Sequence, residues 1–174
     1  MSGVEIERLD AGSFAAVTAE LGDVLADAVS GGASVGFLKP FTSAEAAAWW
    51  RTLAEDIAAG RRMILVARID RRLVGTVQLR VAELPNARHR AEVAKLLVHR
   101  SVRRRGVGRA LMDAIEALAR SEGRTLLVLD TETGSDAQRL YETLGWTRVA
   151  PIPRYAKDPD GVLRATTIYF KEVQ

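Results

Sequence analysis

The chain has 174 residues, with 25 Lys and Arg against 22 Asp and Glu, and it contains no cysteine. This length suits one domain, residues 1–174, which can bury roughly two thirds of its unfolded surface. The absence of cysteine excludes disulfides, thiolate metal sites and a covalent thioester on the protein. No apolar stretch is long enough to span a membrane, and Met1 to Asp10 lack the pattern of a signal peptide. We therefore expect a cytoplasmic protein without a membrane partner.

Apolar spacing along the chain predicts strands that alternate with helices. A capping box of Thr42 and Glu45 marks one helix start, and Gly60 and Gly123 mark helix ends. The predicted elements are a strand over 4–9, helices over 14–29 and 42–60, strands over 63–69, 73–84 and 92–99, a helix ending at 123, a strand over 126–129, a helix over 137–144, and strands over 146–152 and 162–170. This order predicts an α/β (α+β) domain with a mixed central sheet of about seven strands flanked by about four helices.

A basic, glycine-containing segment over 103–108 lies between a predicted strand and a predicted helix. Backbone N–H groups and the positive end of the helix dipole converge there, and glycine lets a phosphate approach the main chain. No Gly-Lys-Ser/Thr follows, and Leu111 occupies the third glycine position of a dinucleotide fingerprint. A solvated corner or a weak nucleic-acid patch is the alternative, but a charge cluster alone requires neither glycine. The segment predicts a pyrophosphate site, with no nucleic-acid partner.

Two motifs resemble the GNAT acetyltransferase family. Arg103, Gly106 and Gly108 match the family signature Arg/Gln-x-x-Gly-x-Gly/Ala, and residues 137–146 resemble its Ala-x-x-Leu-Tyr-x-x-x-Gly-Phe segment. The resemblance implies a GNAT fold and acetyl-CoA as cosubstrate. It departs at Gly134, where the family often carries asparagine and where Ser135 or Asp136 is the available substitute. The cofactor-binding residues implied in this way are Leu96, Leu97, Val98, Arg103, Arg104, Arg105, Gly106, Val107, Gly108, Arg109, Ser135 and Asp136.

Acetyl transfer to an amine requires the amine to be neutral when it attacks, so a proton acceptor is useful. Glu92 begins the cofactor strand and Asp130 ends the next one, so parallel neighbouring strands would bring both carboxylates to one opening. Either one could instead be a structural residue paired with an arginine such as Arg90. Tyr141 matches the family tyrosine that protonates the leaving thiolate, and its alternative role is a helix-face aromatic packed on the sheet.

The histidines do not form a metal site by their spacing, because His89 and His99 are ten residues apart and have no cysteine beside them. We expect no metal. By family resemblance, the acceptor pocket involves the loop over 32–41, whose apolar residues suit a small ligand. The candidate substrate-binding residues are Phe37, His89 and Trp49, and core packing is the alternative role of Trp49.

Residues 91–99 and 152–156 are similar to the branch of the family that includes the tabtoxin-resistance acetyltransferase. This similarity implies a primary amine of a small molecule as acceptor, such as an amino-acid-like toxin, an antibiotic or a metabolite, attacked directly in a ternary complex. It thus implies a role in antibiotic or toxin resistance. Acetylation of a protein N-terminus or lysine is the alternative, and a coenzyme A-binding regulator would lack Tyr141 and both carboxylates. Homodimers are common in the family.

Overall fold

The computed structural model describes residues 3–174, so the first two residues of the segment Met1–Asp10 lie outside the described range. The described chain contains seven strands and five α-helices. The strands are β1 (Glu5–Leu9), β2 (Arg62–Ile69), β3 (Arg72–Val81), β4 (Arg90–Val98), β5 (Leu126–Glu132), β6 (Thr147–Lys157) and β7 (Leu163–Glu172). The helices are α1 (Ala11–Ser30), α2 (Ser43–Arg51), α3 (Ala54–Ala58), α4 (Val107–Ser121) and α5 (Asp136–Thr143). Within residues 3–174, no helix has the length and apolar character that crossing a membrane requires.

The strands form one mixed sheet in the order β1-β2-β3-β4-β5-β7-β6. Neighbouring strands are antiparallel except for β4 and β5, which are parallel. The helix α4 provides the crossover between these two parallel strands, as the geometry of a parallel pair requires. The predicted mixed α/β architecture is therefore confirmed.

Hydrophobic clusters cover both faces of the sheet. On one face α4 buries Leu111, Met112 and Ile115 completely against strands β2 to β5. On the other face α1, α2 and α3 pack against β2 and β3, and Trp50 of α2 is fully buried there and donates from Nε1 to the Leu21 carbonyl at 3.0 Å. This α1 face also carries the candidate carboxylate Glu92, since Ala91 and Val93 point to the α4 face.

The prediction of one helix over 42–60 is wrong, because the chain forms two helices there. At the break the backbone N–H groups of Thr52 and Leu53 bond three residues back, to Trp49 and Trp50, and the Thr52 hydroxyl also donates to the Trp49 carbonyl. These bonds tighten the last turn of α2, as often happens at helix ends. The count of helices is therefore five and not about four.

The strand β5 is longer than the predicted strand over 126–129. It continues to Glu132 because its far edge pairs with β7 along its whole length, from Leu126 opposite Glu172 to Glu132 opposite Thr166. Asp130 thus lies inside this strand and not at its end, opposite Ile168.

Gly22 allows α1 and α2 to approach closely. A Cβ atom at this position would lie 2.7 Å from the Ser43 carbonyl oxygen and 2.8 Å from the Ala47 nitrogen, both of them backbone atoms. The same test at Gly12, also in α1, finds its nearest atom at an ordinary 3.5 Å. One helix thus contains a glycine that packing requires and one that packing does not.

We predict that Gly22→Ala destabilises the protein although alanine is the better helix former. The gain in helix propensity is about 1 kcal/mol, whereas displacing a backbone neighbour costs about 1–3 kcal/mol. Urea denaturation should show a lower free energy of unfolding for Gly22→Ala and an unchanged or higher one for the matched control Gly12→Ala. A stabilised Gly22→Ala protein would show that α2 can move away without cost.

Candidate active site

The parallel strands β4 and β5 pair over only three residues, from Arg90 opposite Leu126 to Glu92 opposite Val128. Both strands continue beyond that point. On its other edge, β4 carries a β-bulge: Ala94 lies opposite Gln78 and Leu97 opposite Thr76, so β4 has one more residue than β3 in this interval. The bulge includes Lys95, whose φ is 51°. The main chain of β4 beyond Glu92 therefore faces a gap instead of a strand.

A cavity of about 980 Å³ occupies this gap. Its walls come from β4, β5, the start of α4, the helix α5 and the loop after α1. The sequence-predicted residues that line it are Glu92, Leu96, Leu97, Val98, Arg103, Arg104, Gly106, Val107, Gly108, Arg109, Asp130, Ser135, Asp136 and Tyr141. Four further candidates, Phe37, Trp49, His89 and Arg105, do not line it.

The basic segment forms a tight turn at one end of the cavity. Gly106 has a φ of 80°, which favours glycine, and it is the N-cap residue of α4 without a side-chain hydrogen bond to the helix. The first N–H groups of α4 are therefore available to an anion. Arg103 Nε donates to the Val98 carbonyl at 3.4 Å, which fixes the turn to the end of β4. Arg105 is exposed and does not line the cavity.

The helix α5 forms the opposite wall. Ser135 is its N-cap residue and accepts a hydrogen bond from the Gln138 nitrogen at 3.1 Å, while its hydroxyl lies 3.2 Å from that of Thr131 on β5. Asp136 pairs with Arg139 on the same helix. Both polar residues thus lie where β5 passes into α5.

Tyr141 lies on the inner side of α5, buried between Trp146 and Tyr169, with ring centroids 6.0 and 6.3 Å away. Burial, and then the negative charge of Asp130, raise the pKa of the Tyr141 hydroxyl far above its ordinary value of 10.0. The phenol therefore keeps its proton throughout the physiological range. A neutral phenol at a cavity wall can donate a proton or a hydrogen bond.

The two candidate carboxylates lie on the same face of the sheet but in different surroundings. Glu92 forms an ion pair with Arg80, with Oε1 and Oε2 at 3.0 and 3.2 Å from Nη1. Asp130 has no ion-pair partner among residues 3–174. Although Asp130 is exposed to the cavity, desolvation by the surrounding walls, and then the charge of Glu92, raise its pKa above the ordinary 3.8. Asp130 is thus the candidate carboxylate that is left without an ion pair in the described chain.

The candidate acceptor residues have separate locations. Phe37 stacks on Phe41 with ring centroids 4.4 Å apart and meets Trp49 edge-on at 5.2 Å. This aromatic cluster is beside the cavity, behind the side chain of Lys95. His89 lies apart from both, in the exposed turn before β4, where its carbonyl accepts from Thr125 and Leu126.

Sequence reasoning missed a polar set on the α1 face of the sheet, formed by Arg62, Gln78, Arg80 and Lys95. Arg62 lies opposite Arg80, and Arg80 opposite Glu92, across three adjacent strands. The alternation of Thr76, Gln78 and Arg80 along an otherwise apolar strand is the signal that could have indicated this set.

Within residues 3–174 no group of three or more His, Asp or Glu side chains is arranged to hold a metal ion. The His99 ring contacts two nearby polar residues. Its Nδ1 lies 2.8 Å from the Ser101 hydroxyl, and its Nε2 lies 3.6 Å from Asp27 on α1. Arg100 also binds Asp27, at 2.9 Å. These contacts join α1 to the turn that precedes the basic segment.

Comparison with known proteins gives a family and a fold. The sequence model of the acetyltransferase (GNAT) family matches residues 34–146, which is more than half of the chain. An N-acetyltransferase from Staphylococcus aureus Mu50 superposes with a TM-score of 0.79 at 18% identity, over 99% of this chain and 100% of that chain. The yncA protein of Salmonella typhimurium, solved with acetyl-CoA, gives a TM-score of 0.75 at 21% identity, over 98% and 94%.

A ribosomal-protein-alanine N-acetyltransferase from Brucella melitensis is also similar, with a TM-score of 0.75 at 19% identity over 97% of this chain and 99% of that chain. At these identities the likeness concerns the fold. The family match, in contrast, covers the glycine turn, the bulged strand and the tyrosine of α5. The chain therefore belongs to the acetyltransferase (GNAT) family.

Proposed function

We propose that this N-acetyltransferase transfers the acetyl group of acetyl-CoA to a primary amine of a small molecule by direct attack in a ternary complex. One observation carries the proposal. A single cavity joins the N-terminus of α4 and the unpaired edge of β4 to Asp130 and Tyr141, so that a cofactor site and acid–base groups share one space.

The cofactor would lie along the first part of this cavity. The pyrophosphate would be bound by the N–H groups at the start of α4, assisted by Arg104 and Arg109. The pantetheine amides would pair with the main chain over 96–98, which faces no strand on the β5 side. This arrangement would bring the thioester to the bulge of β4, where the strands separate.

Asp130 would accept the proton of the attacking amine, directly or through water. Its raised pKa makes it a better base than an ordinary aspartate, and no arginine among residues 3–174 forms an ion pair with it. Glu92 would have a smaller part, because Arg80 already forms an ion pair with it. Attack of the nitrogen forms the amide C–N bond, and the C–S bond breaks as the coenzyme A thiolate leaves.

Tyr141 would return a proton to that thiolate. Its hydroxyl stays protonated because burial and the nearby Asp130 raise its pKa. A thiol of ordinary pKa near 8.5 is a better leaving group when a donor is close. Asp130 would thus accept a proton and Tyr141 would donate one, and the surroundings of each group favour that role.

Contacts between the loop after α1 and the β6–β7 hairpin support a small molecule over a peptide chain. The loop after α1 lies against the β6–β7 hairpin: the Lys39 backbone nitrogen donates to the Pro159 carbonyl at 2.9 Å, and its Nζ lies 3.2 Å from Asp160. The Ser34 hydroxyl donates to the Lys157 carbonyl at 3.5 Å. These contacts hold the loop against the hairpin and would leave less room for an extended peptide.

A homodimer is part of the proposal. The strand β6 is the last strand of the sheet and is exposed along almost its whole length. It presents Val149, Ile152 and Tyr155, and the neighbouring β7 presents Leu163. An exposed apolar edge strand is a surface suited to a second copy. The cytoplasmic location and the relation to the tabtoxin-resistance branch stay predictions.

The proposal predicts both binding and turnover. Calorimetric titration should show acetyl-CoA binding, and thiol release should occur with amino acids, polyamines or aminoglycosides but not with peptides. Gly106→Glu should abolish the binding because it puts a carboxylate in the phosphate turn. Gly106→Ala, which imposes the same strain at positive φ without charge, is the control. Preferred turnover of peptides would indicate protein acetylation instead, and absence of acetyl-CoA binding would contradict the proposal.

We predict that Asp130→Asn lowers kcat by about tenfold or more and that Glu92→Gln has a smaller effect. In the unmodified protein kcat/KM should fall as pH falls through the raised pKa of Asp130, because the protonated carboxyl cannot accept a proton. A pH–rate profile of both variants checks this, with the acidic limb lost only in Asp130→Asn. If Asp130→Asn retained the acidic limb of the profile, the limb would report the titration of another group.

We predict that Tyr141→Phe lowers kcat at least about tenfold with little change in the affinity for acetyl-CoA, since only a proton donor is lost. Tyr169→Phe is the matched control: it removes a hydroxyl that donates to Glu142 at 2.7 Å outside the cavity. Steady-state kinetics and calorimetric titration measure both quantities. Equal kcat values in the two variants would remove Tyr141 from the mechanism.

A further inference from the structure

A basic cluster of Arg62, Arg80 and Lys95 lies on the same face of the sheet as Glu92. Arg62 is opposite Arg80, which is opposite Glu92, so these side chains are neighbours across three strands. Lys95 follows on the bulge of β4 and, like Arg80, lines the cavity. Arg80 and Lys95 therefore line the same cavity as the carboxylates Glu92 and Asp130.

Two of the three cations have partners within the protein. Arg62 donates from Nη1 to Gln78 Oε1 at 2.6 Å and lies 3.5 Å from Asp56. Arg80 is bound to Glu92 through both carboxylate oxygens. Lys95, in contrast, makes no hydrogen bond or ion pair with any residue in the range 3–174.

Two aromatic rings lie beside Lys95, and the carboxylates of Asp130 and Glu92 act on it electrostatically without pairing with it. Its Nζ lies 5.4 Å from the ring centroid of Trp49 and 6.0 Å from that of Phe37. Burial, and then repulsion by Arg62 and Arg80, lower the pKa of this ammonium group. Cation–π attraction of this kind stabilises a desolvated charge only in part. Burial of the Lys95 ammonium group is therefore costly, and a bound anion would offset part of this cost.

Two buried donors in or beside this cluster have no hydrogen-bond acceptor among residues 3–174. Arg62 Nε and Gln78 Nε2 are buried N–H donors that have no acceptor within the described chain. Gln78 cannot turn its amide to help, because its oxygen already accepts from Arg62. Neither Arg62 nor Gln78 lines the cavity, so a ligand there would act on these donors only through its charge. Lys95, which does line the cavity, favours a ligand group with negative charge and acceptor oxygens. A carboxylate has both properties.

We propose that Lys95 binds a carboxylate of the acceptor, so that the substrates are amino acids and not simple amines. The inference rests on the proposed function and deepens it. Asp130 on β5 and Lys95 on β4 face one cavity from the two sides of the gap. An amino acid would present its ammonium group to Asp130 and its carboxylate to Lys95, which matches both charges at once.

The test compares amines that differ only in the carboxylate. Suitable pairs are L-lysine with 1,5-diaminopentane, L-methionine with 3-(methylthio)propylamine, and L-phenylalanine with 2-phenylethylamine. Thiol release from acetyl-CoA gives kcat/KM for each member. We expect the amino acid of any accepted pair to exceed its decarboxylated partner by about tenfold or more, the effect of one charge-assisted hydrogen bond.

Variants then identify the group responsible. Lys95→Met should lower kcat/KM of the amino acids, mainly through KM, by about tenfold more than it lowers that of their decarboxylated partners. Lys95→Arg should retain part of the preference because it keeps the charge. Lys157→Met is the matched control, since Lys157 is exposed on β6 and does not line the cavity.

Each outcome decides one question. Acetylation of both members of the pairs at equal kcat/KM would overturn the inference and leave the proposed function intact. An equal loss for both members in Lys95→Met would assign Lys95 a role in packing and would also overturn it. If none of the amines in the panel is acetylated although acetyl-CoA binds, the proposed function fails, and the inference fails with it.

Discussion

The separation of two parallel strands beyond their third paired residue governs the rest of this structure. After Glu92 and Val128 the edges of β4 and β5 face each other without hydrogen bonds. Buried main-chain groups without partners are costly, so such a gap persists only when a ligand or solvent fills it. Here the bulge at Lys95 bends β4 on one side, while full pairing with β7 holds β5 on the other. The sheet stays continuous, and the gap becomes a binding cavity.

Each face of the sheet around the gap is covered by a hydrophobic cluster of its own. The helix α4 begins at the glycine turn and is buried over its inner face, so the N–H groups that would bind phosphate have a fixed direction. Glu116 of α4 accepts from Trp146 at 3.1 Å and pairs with Lys171 of β7 at 2.8 Å, which joins α4 to the strand that holds β5. Asp27 and Arg100 join α1 to the other end of the cavity.

The electrostatics of the cavity follow from desolvation and from which charges already have partners. Glu92 and Arg80 largely neutralise each other, whereas Asp130 and Lys95 are left to act on a ligand. Their pKa values move towards neutrality from opposite directions because burial disfavours the charged form of either type. Tyr141 lines the same cavity and keeps its proton, because burial and Asp130 raise its pKa.

The sequence by itself determined the alternation of strands and helices, the glycine turn and the family, because periodicity, glycines and two spaced motifs are local properties of the chain. It also indicated the residues of β4, α4 and α5 that line the cavity. The split of the helix over 42–60, the internal position of Asp130 and the location of His89 outside the cavity were decided by tertiary contacts. Only the folded sheet brings Arg62, Arg80 and Lys95 together, because pairing register and a bulge, which depend on residues far apart in sequence, decide which side chains share a face.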